Sequence, residues 1–413
     1  MKLHFALSCF AIAAANAAYS GDIVQYWIDQ SAILVNGTVI NGLPSPPSGW
    51  FEAIVQGAVY LAATRSEGKS LAFQQLAVSH AAHDTLLWTF HGTRLYATVN
   101  SKLKAVLEPI GLNPDTPDAL DATEIGREAA RTVVVARADD GINYFVDYEV
   151  RPALPGVYQP TPGGQPAPDT PQAQFIRLFG GLGDVTRFRA PPPPNVTSPE
   201  YEPFLDFVKE QGARNSTIRK PYDTETAYFW RESSPIQWNR LANLVIGNSL
   251  ATDVIASDKF YAQLNYALAN AAIASWDSNW RPVTAIRYPE TYLASGRNVS
   301  DPAWTPLLAP TPNHQDYLST HATFGGAAAA MIKEAWNGGR DEVDVALSSN
   351  VTVDGVGVIT RRITNLTAAA LQNGDSRVFG GIHFQFASDV GNEIGAWVGR
   401  ETIALFEDNW DKF

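Results

Sequence analysis

Three short segments in the second half of the chain gather side chains that could hold a small oxyanion. The first is Trp280-Arg281-Pro282, the second Tyr317-Leu318-Ser319-Thr320-His321, and the third runs from Ser376-Arg377 to His383. Two arginines can clamp a tetrahedral anion through forked, charge-assisted hydrogen bonds that lysine reproduces less well. Ser319 precedes a helix-forming run and reads as its N-cap, so the free N–H groups near Thr320 and His321 converge at a helix N-terminus, a ready anion site. Arg377 stands six residues before His383, a spacing at which a loop-to-helix turn aims both inward. The two histidines, His321 and His383, suit distinct tasks: one attacks or ligates the central atom, the other moves protons on the opposite side.

These segments need a scaffold, and the apolar periodicity supplies helices. Spacing of three and four residues predicts helices over Phe51–Arg65, Ser70–Phe90, Leu95–Leu107 and Ala122–Ala138. Between Pro152 and Pro194 prolines and glycines crowd the chain, ending in four successive prolines, and this reads as a long ordered loop. Helices resume over Glu200–Gly212, Thr224–Glu232, Pro235–Ile246, Ser257–Trp276 and Ser319–Trp336. A short strand-like insert at Val351–Ile363 and a long helix over Gly380–Phe406 complete the pattern. The expected fold is all-α: one helical-bundle domain in two halves, with a long Pro/Gly-rich loop.

The opening of the chain sets an expected compartment. Lys2, the apolar run Phe5–Ala14 and the small-residue site Ala15-Asn16-Ala17 have the layout of a secretory signal peptide over 1–17, leaving a mature domain over 18–413. Sequons at Asn36, Asn195, Asn215, Asn298, Asn350 and Asn365 fit a secreted, extracellular glycoprotein. No later stretch is apolar and long enough to span a membrane. The only cysteine, Cys9, lies within the leader, which excludes a disulfide scaffold or thiolate metal site in the mature protein. Met331 is then the only methionine, which suits a protein that makes or meets a strong oxidant, or reflects compositional drift. A net charge of −12 argues against nucleic acid as a partner.

Taken in order, the three segments resemble the signature of the vanadium-dependent haloperoxidases and type 2 phosphatidic-acid phosphatases: K-x6-R-P, then P-S-G-H, then S-R-x5-H-x3-D. The third segment matches S-R-x5-H in full and the first supplies R-P; the resemblance covers roughly Pro155 to Trp397, with the motifs within about 220–400. It implies that His383 is the axial vanadate ligand, or the nucleophile of a phosphatase, and that His321 is the acid–base residue. Arg281, Arg377, Ser319 and the backbone N–H of Thr320 would bind equatorial oxygens. His314, seven residues before His321, resembles the bromide-oxidising members, where chloride-oxidising ones carry phenylalanine; a plain polar loop residue is the alternative.

The sequence also departs from the signature. Ala274 stands where the lysine is expected, Leu318 and Thr320 replace the proline and glycine, and Ala387 replaces the aspartate, leaving open what orients the ring of His383. The implied function is a secreted haloperoxidase using vanadate, hydrogen peroxide and a halide, bromide favoured. The alternatives are a secreted phosphatase acting on phosphate or diphosphate esters through a phosphohistidine, with phosphate as the competing occupant, and a degenerate oxyanion-binding protein without activity. Elsewhere, His80, His83 and Asp84 share a helical face and suggest a metal pair; with no further ligand evident, packing or solvation is expected. Glu225 and Glu232, with Asp223, read as a solvated acidic cluster on one helical face.

Overall fold

Asp22 opens the first described helix as its cap. Its carboxylate accepts from the backbone N–H of Val24 at 2.9 Å and of Gln25 at 3.3 Å, satisfying donors that a helix start leaves free. The helix it opens, α1 (Ile23–Thr38), was not expected, although Ile23, Val24, Trp27, Ile28, Leu34 and Val35 are all buried at helical spacing. The structure is a computed structural model, and it describes residues 19–38, 45–91, 93–152, 154–161, 168–278, 295, 301, 303–349 and 357–413. The predicted leader, the Arg281 segment and the sequons Asn298 and Asn350 lie outside the described residues.

The next four helices, α2 (Ser45–Arg65), α3 (Leu71–Phe90), α4 (Tyr96–Ile110) and α5 (Pro117–Ala136), pack together as the first half. Ser70 and Thr116 cap α3 and α5 through their hydroxyl oxygens, so α5 begins five residues before the expected Ala122. After the long loop come α6 (Tyr201–Gln211), α7 (Pro221–Phe229), α8 (Ser234–Ile246) and α9 (Val254–Ser278). The loop has only two short 3₁₀ turns, Pro171–Phe175 and Val185–Phe188, among its described residues. It is tied to α9 where Asn270 accepts from Phe179 N–H at 2.7 Å and donates to Phe179 carbonyl at 3.2 Å.

The second half is built from α9, α10 (Thr320–Ala335), α11 (Leu366–Phe379) and α12 (Gln385–Asn409), with α2 against α9 joining the halves. The small-residue tract after His321 lets these helices approach closely: a Cβ on Gly326 would stand 2.2 Å from the Asn392 carbonyl oxygen. The expected insert is an antiparallel hairpin of β1 (Glu342–Ser348) and β2 (Thr360–Asn365), so pairing begins earlier than the apolar alternation suggests. The architecture is all-α, with one two-stranded sheet among the described residues. No described helix is long and apolar enough to cross a membrane.

Two expectations are corrected here. Arg377 was expected on a loop before a helix starting at Gly380; instead it lies in the last turn of α11, and α12 starts at Gln385. The acidic cluster is also divided. α7 stops at Phe229, so Glu232 leaves the helix face of Glu225, is buried, and pairs with Arg240 at 2.6 Å.

One buried acid makes the first half sensitive to pH. Glu52 on α2 is enclosed and both its oxygens lie within 2.8 Å of the Ser31 hydroxyl, which also reaches the Ile28 carbonyl. Burial pushes its carboxyl up to about 8, against the hydrogen bond from Ser31 that lowers it. The folded state therefore keeps a proton that the unfolded chain releases above its ordinary carboxyl range, and stability falls as pH rises through that window. Glu52→Gln supplies the same neutral donor and acceptor. At pH 8 it is expected to raise the unfolding free energy by roughly 2–4 kcal/mol, with little change below pH 4.5. Urea denaturation at the two pH values checks this, and an equal effect at both would contradict it.

Candidate oxyanion site

The site is assembled where the end of α11, the start of α10 and the loop before α10 meet. After α11 the chain folds back on itself: Ile382 and His383 both donate backbone N–H bonds to the Arg377 carbonyl, at 3.1 and 3.3 Å. That turn needs Gly381, which has φ 74° and would place a Cβ 2.3 Å from the Gly212 carbonyl oxygen. A compact turn, rather than a helix start, thus brings the six-residue spacing of Arg377 and His383 into one place.

His383 is 4 % exposed and held by a group that its own motif lacks. Its Nδ1 meets two acceptors of one residue, the Asp316 carbonyl at 2.8 Å and the Asp316 carboxylate at 2.9 Å. Both partners accept, so Nδ1 carries the proton and Nε2 is left with the lone pair. The same carboxylate accepts from the Phe384 N–H at 3.1 Å, tying ring and backbone together. Asp316 therefore takes the place of the aspartate missing at Ala387. Sequence reasoning overlooked it, although its position five residues before His321 was a usable signal. Burial raises the Asp316 carboxyl, while the hydrogen bond with His383 works the other way.

Arg377 is 5 % exposed, and its Nε and Nη1 have no hydrogen-bond partner among the described residues. Burial presses its guanidinium down to about 9, with the neighbouring charge of Arg231 adding to this. Arg231 is exposed in the turn between α7 and α8, so a second cation reaches the site from outside the motif. Ala274, where a lysine was expected, is fully buried in α9.

Ser319 occupies the cap position of α10 but does not cap it, which corrects the expectation. Its N–H donates to the Ala387 carbonyl at 3.1 Å, and its hydroxyl is buried without a partner. The hydroxyl is thereby free for another acceptor. Thr320 is buried, with its hydroxyl 3.1 Å from that of Ser275 on α9. Its N–H belongs to the first turn of α10, where helix geometry provides no partner.

His321 follows in that turn, and its Nε2 donates to the Glu232 carbonyl at 3.2 Å, leaving Nδ1 as the basic nitrogen. Burial, then the charges of Arg377 and His383, hold its pKa well below the usual imidazole range. His314 donates from Nδ1 to the Gln315 carbonyl at 2.6 Å, packs on Trp276 at 5.2 Å between ring centroids, and lies 5.7 Å from His383. Burial and His383 press it down to about 3, so it is neutral near pH 7. His314 thus lies against His383, and the charges of Arg377, His383 and His314 all act on His321, which follows Ser319 and Thr320 at the start of α10; Arg281 lies outside the described residues.

The described residues thus form an all-helical bundle in which the Ser319 hydroxyl and two Arg377 nitrogens are buried without partners. Residues 259–412 match the family model for the second helical-bundle domain of vanadium chloroperoxidase. The vanadium chloroperoxidase of Curvularia inaequalis is 24% identical over 258 residues, 47% of this chain and 41% of that protein, so the match spans about two-fifths of its length. A bacterial vanadium-dependent iodoperoxidase shares the fold with a TM-score of 0.71 at 20% identity, over 92% of this chain and 95% of its own. An apo-type bacterial vanadium-dependent chloroperoxidase does so at 0.72 and 17% identity, over 95% and 99%. The matched stretch contains Ser319, His321, Arg377 and His383, and these likenesses support the vanadium haloperoxidase superfamily for it.

Asp316 should act by fixing the His383 ring. Asp316→Ala is expected to weaken vanadate binding by about 10- to 100-fold, the usual effect of removing a partner behind a ligating histidine. Asp316→Asn, which keeps an acceptor oxygen, should lose less. The Asp316 backbone carbonyl keeps the Nδ1–H tautomer in both variants, so nitrogen NMR should show a weaker Nδ1–H hydrogen bond only in the alanine variant; unchanged affinity and Nδ1 shift in both would exclude this role.

Proposed function

We propose that this chain is a secreted vanadium-dependent haloperoxidase that oxidises bromide with hydrogen peroxide. The observation that carries the reading is the buried guanidinium of Arg377, whose Nε and Nη1, like the Ser319 hydroxyl at the start of α10, have no hydrogen-bond partner among the described residues. A buried cation without its counter-charge typically costs about 3–5 kcal/mol, and an oxyanion supplies that charge together with acceptors for each donor. The donor set fits vanadate: Arg281, Arg377, Ser319 and the Thr320 N–H would hold its oxygens, and the Nε2 lone pair of His383 would ligate the metal. When bound, vanadate supplies Lewis-acid activation of peroxide towards a halide.

The remaining chemistry belongs to the chain. His321 is neutral at working pH, so its Nδ1 can accept a proton from an incoming acid and return it to a leaving oxygen. Asp316 keeps the His383 ring in one tautomer. The leader and the exposed sequons Asn195 and Asn215 support action outside the cell. The deciding experiment assays purified protein with and without added vanadate, in parallel for bromide oxidation and phosphate-ester hydrolysis. Vanadate-dependent bromide oxidation is expected. Ester hydrolysis inhibited by vanadate would instead identify a phosphatase, and silence in both assays with vanadate bound would identify an oxyanion-binding protein without activity.

Halide preference rests on His314. A neutral imidazole 5.7 Å from His383 makes the surroundings of the site more polar and can share protons with bound peroxide. Bromide turnover should therefore exceed chloride turnover, and His314→Phe should shift the ratio towards chloride by about 10-fold or more, within the range of a lost proton-transfer partner. Equal use of both halides by the unmutated enzyme would overturn the preference and leave the rest of the site untouched.

A further inference from the structure

A second group of histidines lies on α3, in the half of the chain that the oxyanion site does not use. His80, His83 and Asp84 stand at i, i+3 and i+4, and one donor atom from each lies within 4.8 Å of the other two. Among the described residues this is the one group of three such side chains gathered so closely. Donors at about 2.0–2.2 Å from one zinc ion stand at most ~4.4 Å apart, so small ring rotations would close the set.

We propose that His80, His83 and Asp84 form a divalent transition-metal site of zinc type that ties α3 to its neighbours.

The strongest support is His80. It is only 8 % exposed, and its Nδ1 is buried with no hydrogen-bond partner among the described residues, a state that buried polar atoms rarely keep. Close packing accounts for where its Cβ sits, since a Cβ on Gly126 of α5 would come within 2.6 Å of it; it does not account for an imidazole nitrogen facing nothing. Burial also holds that ring down to about 4, so it is neutral, which is the ligating form. His83 is held from both ends by oxygen acceptors, so a metal would replace one of these hydrogen bonds and the proton it carries. Its Nδ1 pairs with the Asp84 carboxylate at 2.6 Å, and its Nε2 lies 3.3 Å from the Asn100 amide oxygen on α4. Asn100 supplies a further oxygen close by, which the helical pattern alone could not reveal.

The electrostatics leave room for a cation. Asp84 provides one negative charge and is partly open to solvent, giving an ion a route in. Arg127 of α5 is the opposing charge, 3.8 Å from the outer carboxylate oxygen; its side chain is 57% exposed, so water screens it and it can turn away. Two imidazoles and one carboxylate, with no thiolate, favour zinc, with copper or nickel as competitors, over magnesium or calcium, which prefer oxygen alone.

The test titrates zinc chloride into chelator-stripped, full-length protein by calorimetry, with cobalt absorption as a second readout. One ion per chain should bind with a Kd of about 1 µM or tighter, and zinc should raise the melting temperature reversibly. His80→Gln and Asp84→Asn should each weaken binding by about 10-fold or more with an unchanged circular dichroism spectrum. Asp84 is partly exposed, so its variant keeps the test informative if His80→Gln fails to fold. His383→Ala should bind zinc as the unmutated protein does. Absence of saturable binding below about 100 µM, retention in both α3 variants, or loss in His383→Ala instead would overturn the proposal.

Discussion

Replacing His383 with alanine is expected to reduce halide oxidation to background and to abolish high-affinity vanadate binding. The substitution deletes the one ring nitrogen that Asp316 leaves unprotonated and free to bond a central atom. Supporting interactions from Arg377 and Ser319 cannot replace it, because they donate hydrogen bonds and do not offer a lone pair to a metal. His321→Ala should behave differently. Its Nε2 is engaged with the Glu232 carbonyl, and its remaining role is to move protons, so turnover should fall by about 10²–10⁴-fold while vanadate affinity stays near that of the unmutated protein. Vanadate affinity by calorimetry and bromide oxidation, measured on both variants, separate the roles. Equal loss of affinity in the two would contradict the assignment of His383 as ligand and His321 as acid–base group.

Replacing Arg377 with methionine should have effects of opposite sign on binding and stability. The guanidinium is buried and two of its nitrogens have no hydrogen-bond partner among the described residues, so the anion-free protein carries a desolvation cost that these nitrogens do not offset. An apolar side chain of similar length removes that cost, and the anion-free variant is expected to be more stable by about 1–4 kcal/mol. The same change removes a main oxyanion donor, which typically lowers affinity or rate by about 100- to 1000-fold. Thermal melts with and without phosphate read both effects at once. The unmutated protein should melt lower without phosphate and rise with it, whereas Arg377→Met should start higher and hardly move. A variant that melts lower and still responds to phosphate would show that Arg377 has a structural role instead.

The predicted elements differ from the structure chiefly where a local signal has two readings. Ser319 looks like a cap, yet the backbone of α12 takes its N–H and the hydroxyl is left unused. Glu225 and Glu232 have helical spacing, but the chain turns at Trp230 and one of them is buried against Arg240. In each case the choice was made by packing between elements far apart in the chain.

The sequence by itself determined the helical class, through apolar spacing that persists along nearly every element. It also determined which side chains the candidate site could offer, because Ser-Arg-x5-His and the Ser319–His321 run specify donors and imidazoles whatever their surroundings. Only the tertiary structure decided how those groups are tuned. Asp316 reaches His383 across 67 residues, Glu232 holds His321 across 89, and Arg231 brings a second cation near Arg377. None of these partners has a fixed sequence spacing from the residue it serves. Ring orientation, protonation and the unpaired state of Arg377 depend on burial and on contacts between segments, and those exist only once the helices have packed.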